Sequence, residues 1–304
     1  MSRRSGQRLP PRAEAEKWAE MLAHNARLDN ALPEGVDFSE EEMKEVQGQV
    51  RIVSEMREIH VLRPKTQINA FVPLPAHLKD PLCIAFSAKY LPSVASSLRA
   101  LSLQTQKKAF STFVQLLSLL PDPEKEPYFQ RFLRCPQFEG IPNLIASSFV
   151  KGISWLRPSG PGSISNLIYY MLLWCDTDMG DDKQGAIDKS TREAVLTQLE
   201  DLKAEDSYSR IDPMQRAQIE RLFKMLTTMR HGAEAGLTGK AYITALRGLS
   251  EGQIRGQEEC AVCYEDELQL FLCSTCKTLK YCSKECQSSD WKAGHKMRCY
   301  ATNY

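Results

Sequence analysis

The chain has 304 residues, 42% of them apolar, with 39 Lys and Arg against 38 Asp and Glu. That length and composition supply one large core or two smaller ones. A net charge of +1 gives no overall field to hold nucleic acid or an anionic membrane, and the longest apolar-looking run, Ile164 to Cys175, is too short to span a bilayer and is interrupted by Ser165 and Asn166, so partners are recognised locally and no membrane span is expected.

The chain opens with MSRRSGQRLPPR, rich in arginine and free of acids, with no apolar stretch after it of the kind a secretory signal requires. Residues 1–12 are expected to be a disordered basic tail. Next, FSEEEMKEVQGQV places Ser39 three residues before Glu42, the signature of a capping box ahead of a helix that runs towards His60. The apolar sets Phe110, Phe113, Val114, Leu117 and Ile164, Leu167, Ile168, Met171, Leu172, Cys175 step by three and four, which predicts two helices with buried stripes. Pro121, Pro123, Pro136, Pro142, Pro158, Pro161 and Pro213 divide the rest into helices of roughly 10 to 20 residues. Successive helices are expected over IPNLIASSFVKGI, SISNLIYYMLLWC, STREAVLTQLEDL and QRAQIERLFKML. Residues 13–231 therefore read as an all-helical domain, either an irregular bundle or a degenerate armadillo- or HEAT-like stack, with no fixed period to choose between them. Glycines thicken after Arg230, so residues 232–259 read as a linker or loose helix.

The ten cysteines form two populations. Cys83, Cys135 and Cys175 lie among apolar neighbours and are expected to be buried small hydrophobes. The other seven fall between positions 260 and 299 and, with His295, make four pairs: Cys260/Cys263, Cys273/Cys276, Cys282/Cys286 and His295/Cys299. Thiolate and imidazole are the ligands of structural zinc, which is tetrahedral, so eight donors make two closed sites with no position left for catalytic water. A disulfide framework does not suit an odd number of clustered cysteines, one redox pair would not need repetition, and an iron–sulfur cluster would leave His295 unexplained. Cys282/Cys286 and His295/Cys299 are each four apart, which puts both members on one face of a helical turn. Spacing alone leaves open how the four pairs combine.

From Cys260 to Cys299, including the flanking YC, CQ, DW and HK pairs, the sequence resembles a MYND-type zinc finger. The resemblance implies interleaved pairs, with one zinc on Cys260, Cys263, Cys282 and Cys286 and a second on Cys273, Cys276, His295 and Cys299. Such interleaving would tie together a segment too small to bury a core of its own. The family binds short proline-containing peptides, a role the resemblance carries to Ser274, Gln287 and Trp291. Gln287 and Trp291 are four apart and would share one helix face, while Tyr281 and Leu272 are expected to support the fold. Residues 300–304 are read as a tail.

Nucleic acid is disfavoured for the finger as well. From Cys260 onwards six basic residues face five acidic ones, and seven thiolates outweigh the charge of two zinc ions, so the loaded finger is slightly negative. MYND fingers also occur in protein lysine methyltransferases, but the Asn-His motif of those enzymes has only a reversed counterpart in AHNA at 23–26. His24, His60, His77 and His231 are isolated, and the acidic run at 176–182 lacks the spacing of a calcium loop. The expectation is a non-enzymatic, intracellular protein of cytoplasm or nucleus that binds protein partners. A methyltransferase-like enzyme using the finger for docking is the alternative.

Overall fold

The computed structural model describes residues 12–30, 32–55, 79–120, 127–152, 160–174, 187–236, 259–265, 269–302 and 304, with the backbone alone described at 47, 49–55, 79 and 119. The expected basic tail up to residue 11, His60, His77, Cys175, the acidic run at 176–182 and positions 237–258 of the linker lie outside these residues.

Among the described residues, nine α-helices precede the finger: α1 (Arg12–Asn25), α2 (Glu40–Glu55), α3 (Lys79–Ala100), α4 (Lys107–Leu119), α5 (Pro127–Arg134), α6 (Ile141–Val150), α7 (Pro161–Trp174), α8 (Lys189–Ala204) and α9 (Pro213–Glu234). No helix among them is long and apolar enough to cross a membrane.

Local chemistry explains where these helices begin and end. The capping box forms as expected: the Ser39 N–H donates to Glu42 Oε2 (2.7 Å) and the Glu42 N–H to Ser39 Oγ (3.2 Å), opening α2. Three of the prolines expected to break the chain sit in the first turn of a helix, Pro142 in α6, Pro161 in α7 and Pro213 in α9, where a missing N–H costs no hydrogen bond. Asp212 caps α9 by accepting from the N–H groups of Met214 (2.8 Å) and Gln215 (3.3 Å). Asp37 caps α4 from 71 and 72 positions away, accepting from Lys108 N (2.9 Å) and Ala109 N (2.8 Å). Beyond Gly232, which α9 includes, Gly236 closes that helix at φ 76°, a conformation costly for other residues. Pro92 lies inside α3 and removes one rung of its hydrogen-bond ladder.

The helices pack as stacked pairs rather than around one bundle axis. α1, α3, α6 and α8 form one layer and α2, α4, α7 and α9 the other, and the pairs α1–α2, α3–α4, α6–α7 and α8–α9 lie across the two. Of the two arrangements open from sequence, this neighbour pattern is that of a helical-hairpin stack. All four members of the Phe110 set and the first five of the Ile164 set are buried, as periodicity predicts. α7 and α9 approach closely at Gly162, where a Cβ would stand 2.4 Å from the Gln215 carbonyl oxygen. Cys83 is buried and Cys135 half-buried, while His24 and His231 are exposed.

α5 stands outside the pairing and packs between α3 and α7. Its short sequence, PYFQRFLR, serves two directions. Phe129 and Phe132 enter the core, where Phe129 meets Trp174 edge-on (5.8 Å) and Phe132 packs on Phe138 (4.3 Å). Tyr128 and Arg131, also three apart, point towards the finger.

Candidate metal centre

The finger is built from two knuckles, a two-stranded sheet and a short helix. In the first knuckle the Tyr264 N–H returns to Cys260 O (3.0 Å), and in the second the Lys277 N–H returns to Cys273 O (2.8 Å). The residues closing these turns, Tyr264 (φ 64°) and Lys277 (φ 50°), are left-handed without being glycine, at a cost of about 1–2 kcal/mol each. β1 (Phe271–Leu272) pairs antiparallel with β2 (Lys280–Tyr281), Phe271 opposite Tyr281, and the Ala261 N–H joins the first knuckle to Lys280 O (2.9 Å). Ser283 caps α10 (Lys284–Asp290) by accepting from Cys286 N (3.1 Å).

The pairs expected on helical faces lie at helix ends instead. Cys282 precedes the cap of α10 and Cys286 sits in its first turn. His295 and Cys299 flank the single turn α11 (Lys296–Arg298), after a wide turn over Trp291–His295 that Gly294 breaks at φ 145°. The i,i+4 spacing still brings both donors of each pair to one point.

The eight donors gather into two groups, Cys260, Cys263, Cys282, Cys286 and Cys273, Cys276, His295, Cys299, with the ligand atoms of each group within 4.8 Å of one another. A tetrahedral zinc with bonds of about 2.3 Å to sulfur holds its ligand sulfurs about 3.8 Å apart. In the first group Cys263–Cys282, Cys282–Cys286 and Cys286–Cys263 are 3.4, 3.6 and 4.0 Å apart. In the second, Cys273–Cys299 is 3.7 Å, and His295 Nε2 stands 3.5 Å from the Cys273 sulfur and 3.8 Å from the Cys276 sulfur. These edges fit a tetrahedron around an ion and are far too long for disulfides. Donor chemistry and geometry both suit zinc, so each group can hold one ion.

The groups differ in environment. All four donors of the second are buried, whereas in the first Cys263 is exposed and Cys282 and Cys286 are half-buried. In the second group the Cys299 thiol, aided by His295 and opposed by burial, holds Cys276 down to about 3, and the same contact pushes Cys299 up. Thiolates this close repel one another, and a central dication resolves the conflict by favouring all of them.

Tyr281 is buried, donates to Asp290 Oδ2 (2.7 Å) and packs edge-on to His295, so it supports the fold as expected. Leu272 does not: it is 52% exposed, beside Phe271 at 58%. Ser274 is exposed and Gln287 half-buried. The Trp291 N–H bonds back to Gln287 O, and its indole, 38% exposed, meets His295 edge-on at 5.7 Å. The contact that sequence reasoning missed lies between finger and stack. Residues 260–299 and the helices share one continuous core, and Tyr300, expected in a tail, is buried in it.

The MYND finger family model matches residues 260–299. Over 41 residues the chain is 51% identical to ubiquitin carboxyl-terminal hydrolase 19 of Arabidopsis thaliana, covering 14% of this chain and 6% of that protein. It is 43% identical over 42 residues to SET domain and MYND-type zinc finger protein 6 of Schizosaccharomyces pombe (14% and 8%), and 48% identical over 42 residues to SET domain-containing protein 14 of Caenorhabditis elegans (14% and 10%). The chain thus spans a tenth or less of the length of these relatives, and no solved structure matches it. Residues 260–299, with two sets of metal donors in interleaved order, are a MYND finger, a protein-interaction module.

Proposed function

We propose that the chain is a non-enzymatic interaction protein whose helical stack carries a finger, filled by two structural zinc ions, that docks short proline-containing peptide segments. The observation that carries this reading is the contrast between closed metal sets and an open surface beside them. Each set has four protein donors and leaves no coordination position for water or substrate. Trp291, Ser274 and the edge strand with Phe271 and Leu272 remain accessible. An indole exposed on one side and braced on the other by a metal-site histidine is a rigid apolar platform for a proline ring, Gln287 one turn away supplies an amide, and β1 is bonded to β2 within a two-stranded sheet that an extended ligand can lengthen. Seven cysteines kept as thiolates suit a reducing compartment, which supports a reading of cytoplasm or nucleus.

Titrating the zinc-loaded chain with proline-containing peptides, and with the same peptides carrying alanine for proline, tests the reading. Saturable, proline-dependent binding is expected, and its absence across a diverse peptide panel refutes the docking role. Two of the matched relatives are named for a SET domain, which supports a second reading, a methyltransferase-like enzyme that docks substrate through the finger. Equilibrium dialysis with S-adenosylmethionine separates the two: no uptake is expected, and measurable affinity favours the second.

A further inference from the structure

Two side chains of α5 hold the backbone on which the second donor group is mounted. The Tyr128 hydroxyl donates to Arg298 O (2.8 Å) and accepts from Tyr300 N (2.8 Å), gripping the chain on both sides of Cys299. Arg131 Nη1 reaches Cys276 O (3.1 Å), Thr278 Oγ1 (3.3 Å) and Thr302 Oγ1 (2.8 Å), and its other nitrogen donates to Tyr304 O. The hydroxyls of Thr278 and Thr302 donate to the same Cys276 carbonyl at 2.8 and 3.0 Å. Around this grip, Arg12 of α1 lies 4.6 Å over the buried Tyr300 ring, and Tyr304 stands edge-on to Phe132 and Phe138 with its hydroxyl donating to Ser87 O of α3 (3.1 Å).

Charge gives the grip a purpose. Three thiolates, a neutral imidazole and a dication leave this buried group with one net negative charge, and a buried charge needs a partner. Arg131 brings a permanent cation, hydrogen-bonded to the carbonyl of a donor residue.

We propose that the Cys273, Cys276, His295 and Cys299 group is a metal-dependent joint, with Tyr128 and Arg131 as positioning residues from the helical stack. Its metal fastens the finger to the stack, whereas the metal of the exposed group shapes the finger itself. This rests on the reading that both groups hold zinc. A partner docked on the finger thereby meets a surface fixed relative to the helices, and emptying this one group releases it.

The test follows zinc release from the full-length chain to a chelating dye, with mass spectrometry of alkylated cysteines to assign each phase to its group. A fast phase from the exposed group and a slow phase from the buried one are expected. Arg131→Ala should speed the slow phase by roughly tenfold or more, the usual effect of losing an outer-shell partner, and leave the fast phase alone. Tyr128→Phe, which keeps the ring in place, should do the same more mildly. Cobalt substitution adds a signature that general destabilisation does not produce, because the sulfur-three-nitrogen-one site should change its absorption bands in Arg131→Ala while the four-sulfur site keeps its own. Two ions bound, with both phases within twofold of wild type in both variants, would overturn the joint and leave the metal reading standing. A chain that takes up no metal would overturn both.

Discussion

Replacing one donor in each metal group by serine should have unequal consequences, although each change lowers the metal content by the same amount. Serine is a poor zinc ligand, and a closed site that loses a donor has no replacement within reach, so Cys263→Ser and Cys273→Ser should each bring bound zinc from two towards one per chain. The difference lies in what each site supports. Cys263 is exposed, and releasing its neighbours perturbs the outer half of the finger. Cys273 belongs to the buried group whose backbone is held by α5 and whose continuation carries Tyr300, 1% exposed. If that joint opens, burial of the Tyr300 ring, worth about 2 kcal/mol, is lost, together with at least one hydrogen bond from each of Tyr128 and Arg131 at about 1 kcal/mol per bond. A loss of about 4 kcal/mol corresponds to a fall of roughly 10 °C in the helical transition. Calorimetry or circular dichroism of the full-length variants, beside elemental analysis, reads both quantities. Cys263→Ser should leave the helical transition within about 2 °C of wild type. Equal shifts in the two variants, or undiminished zinc in either, would refute the reasoning.

Three further outcomes are expected. Gly162→Ala would normally favour a helix by up to about 1 kcal/mol, but here its Cβ meets Gln215 backbone at 2.4 and 2.5 Å and disturbs the Ser163–Gln215 hydrogen bonds, so a net loss of about 1–3 kcal/mol is predicted by denaturant unfolding; a stabilised variant would show that α7 and α9 do not approach this closely. Lys277→Gly relieves a left-handed residue in the second knuckle and should leave the finger as stable or up to about 1 kcal/mol more so, read as resistance of zinc to chelation; faster loss of metal would contradict the turn geometry. Trp291→Ala should weaken peptide capture by about 2 kcal/mol or more, some thirtyfold, while both zinc ions stay bound; loss of metal with capture preserved would make the indole structural.

The finger was legible in the sequence because metal ligation is written in residue type and spacing, and both survive without tertiary context. Its pairing order was not in the spacing and came only with the family resemblance. Helices α4 and α7 were legible through stripes that a single core-facing side imposes. The stack was less so, since the layers of α1, α3, α6 and α8 and of α2, α4, α7 and α9 show no sequence period. The two-residue gaps of Cys260/Cys263 and Cys273/Cys276 suit tight turns, but the left-handed residues that close them were hidden because Tyr264 and Lys277 occupy positions that glycine would advertise. Leu272 is expected from sequence to support the fold, yet a two-residue edge strand has too little cover to bury it. The joint was invisible for a different reason: Tyr304 is 217 positions from Ser87 and 176 from Tyr128, and nothing in the last five residues records which distant side chains receive them. α5 itself carries one apolar stripe of Tyr128, Phe129, Phe132 and Leu133, but in eight residues nothing marks Tyr128 and Arg131 as the side chains that meet the finger.

Native mass spectrometry of the purified chain under reducing, metal-replete conditions tests the central claim most directly. A mass increment of two zinc ions is expected, with the seven cysteines of the finger protected from alkylation until a chelator is added. A metal-free chain, or one whose finger cysteines are joined in disulfides, would contradict it.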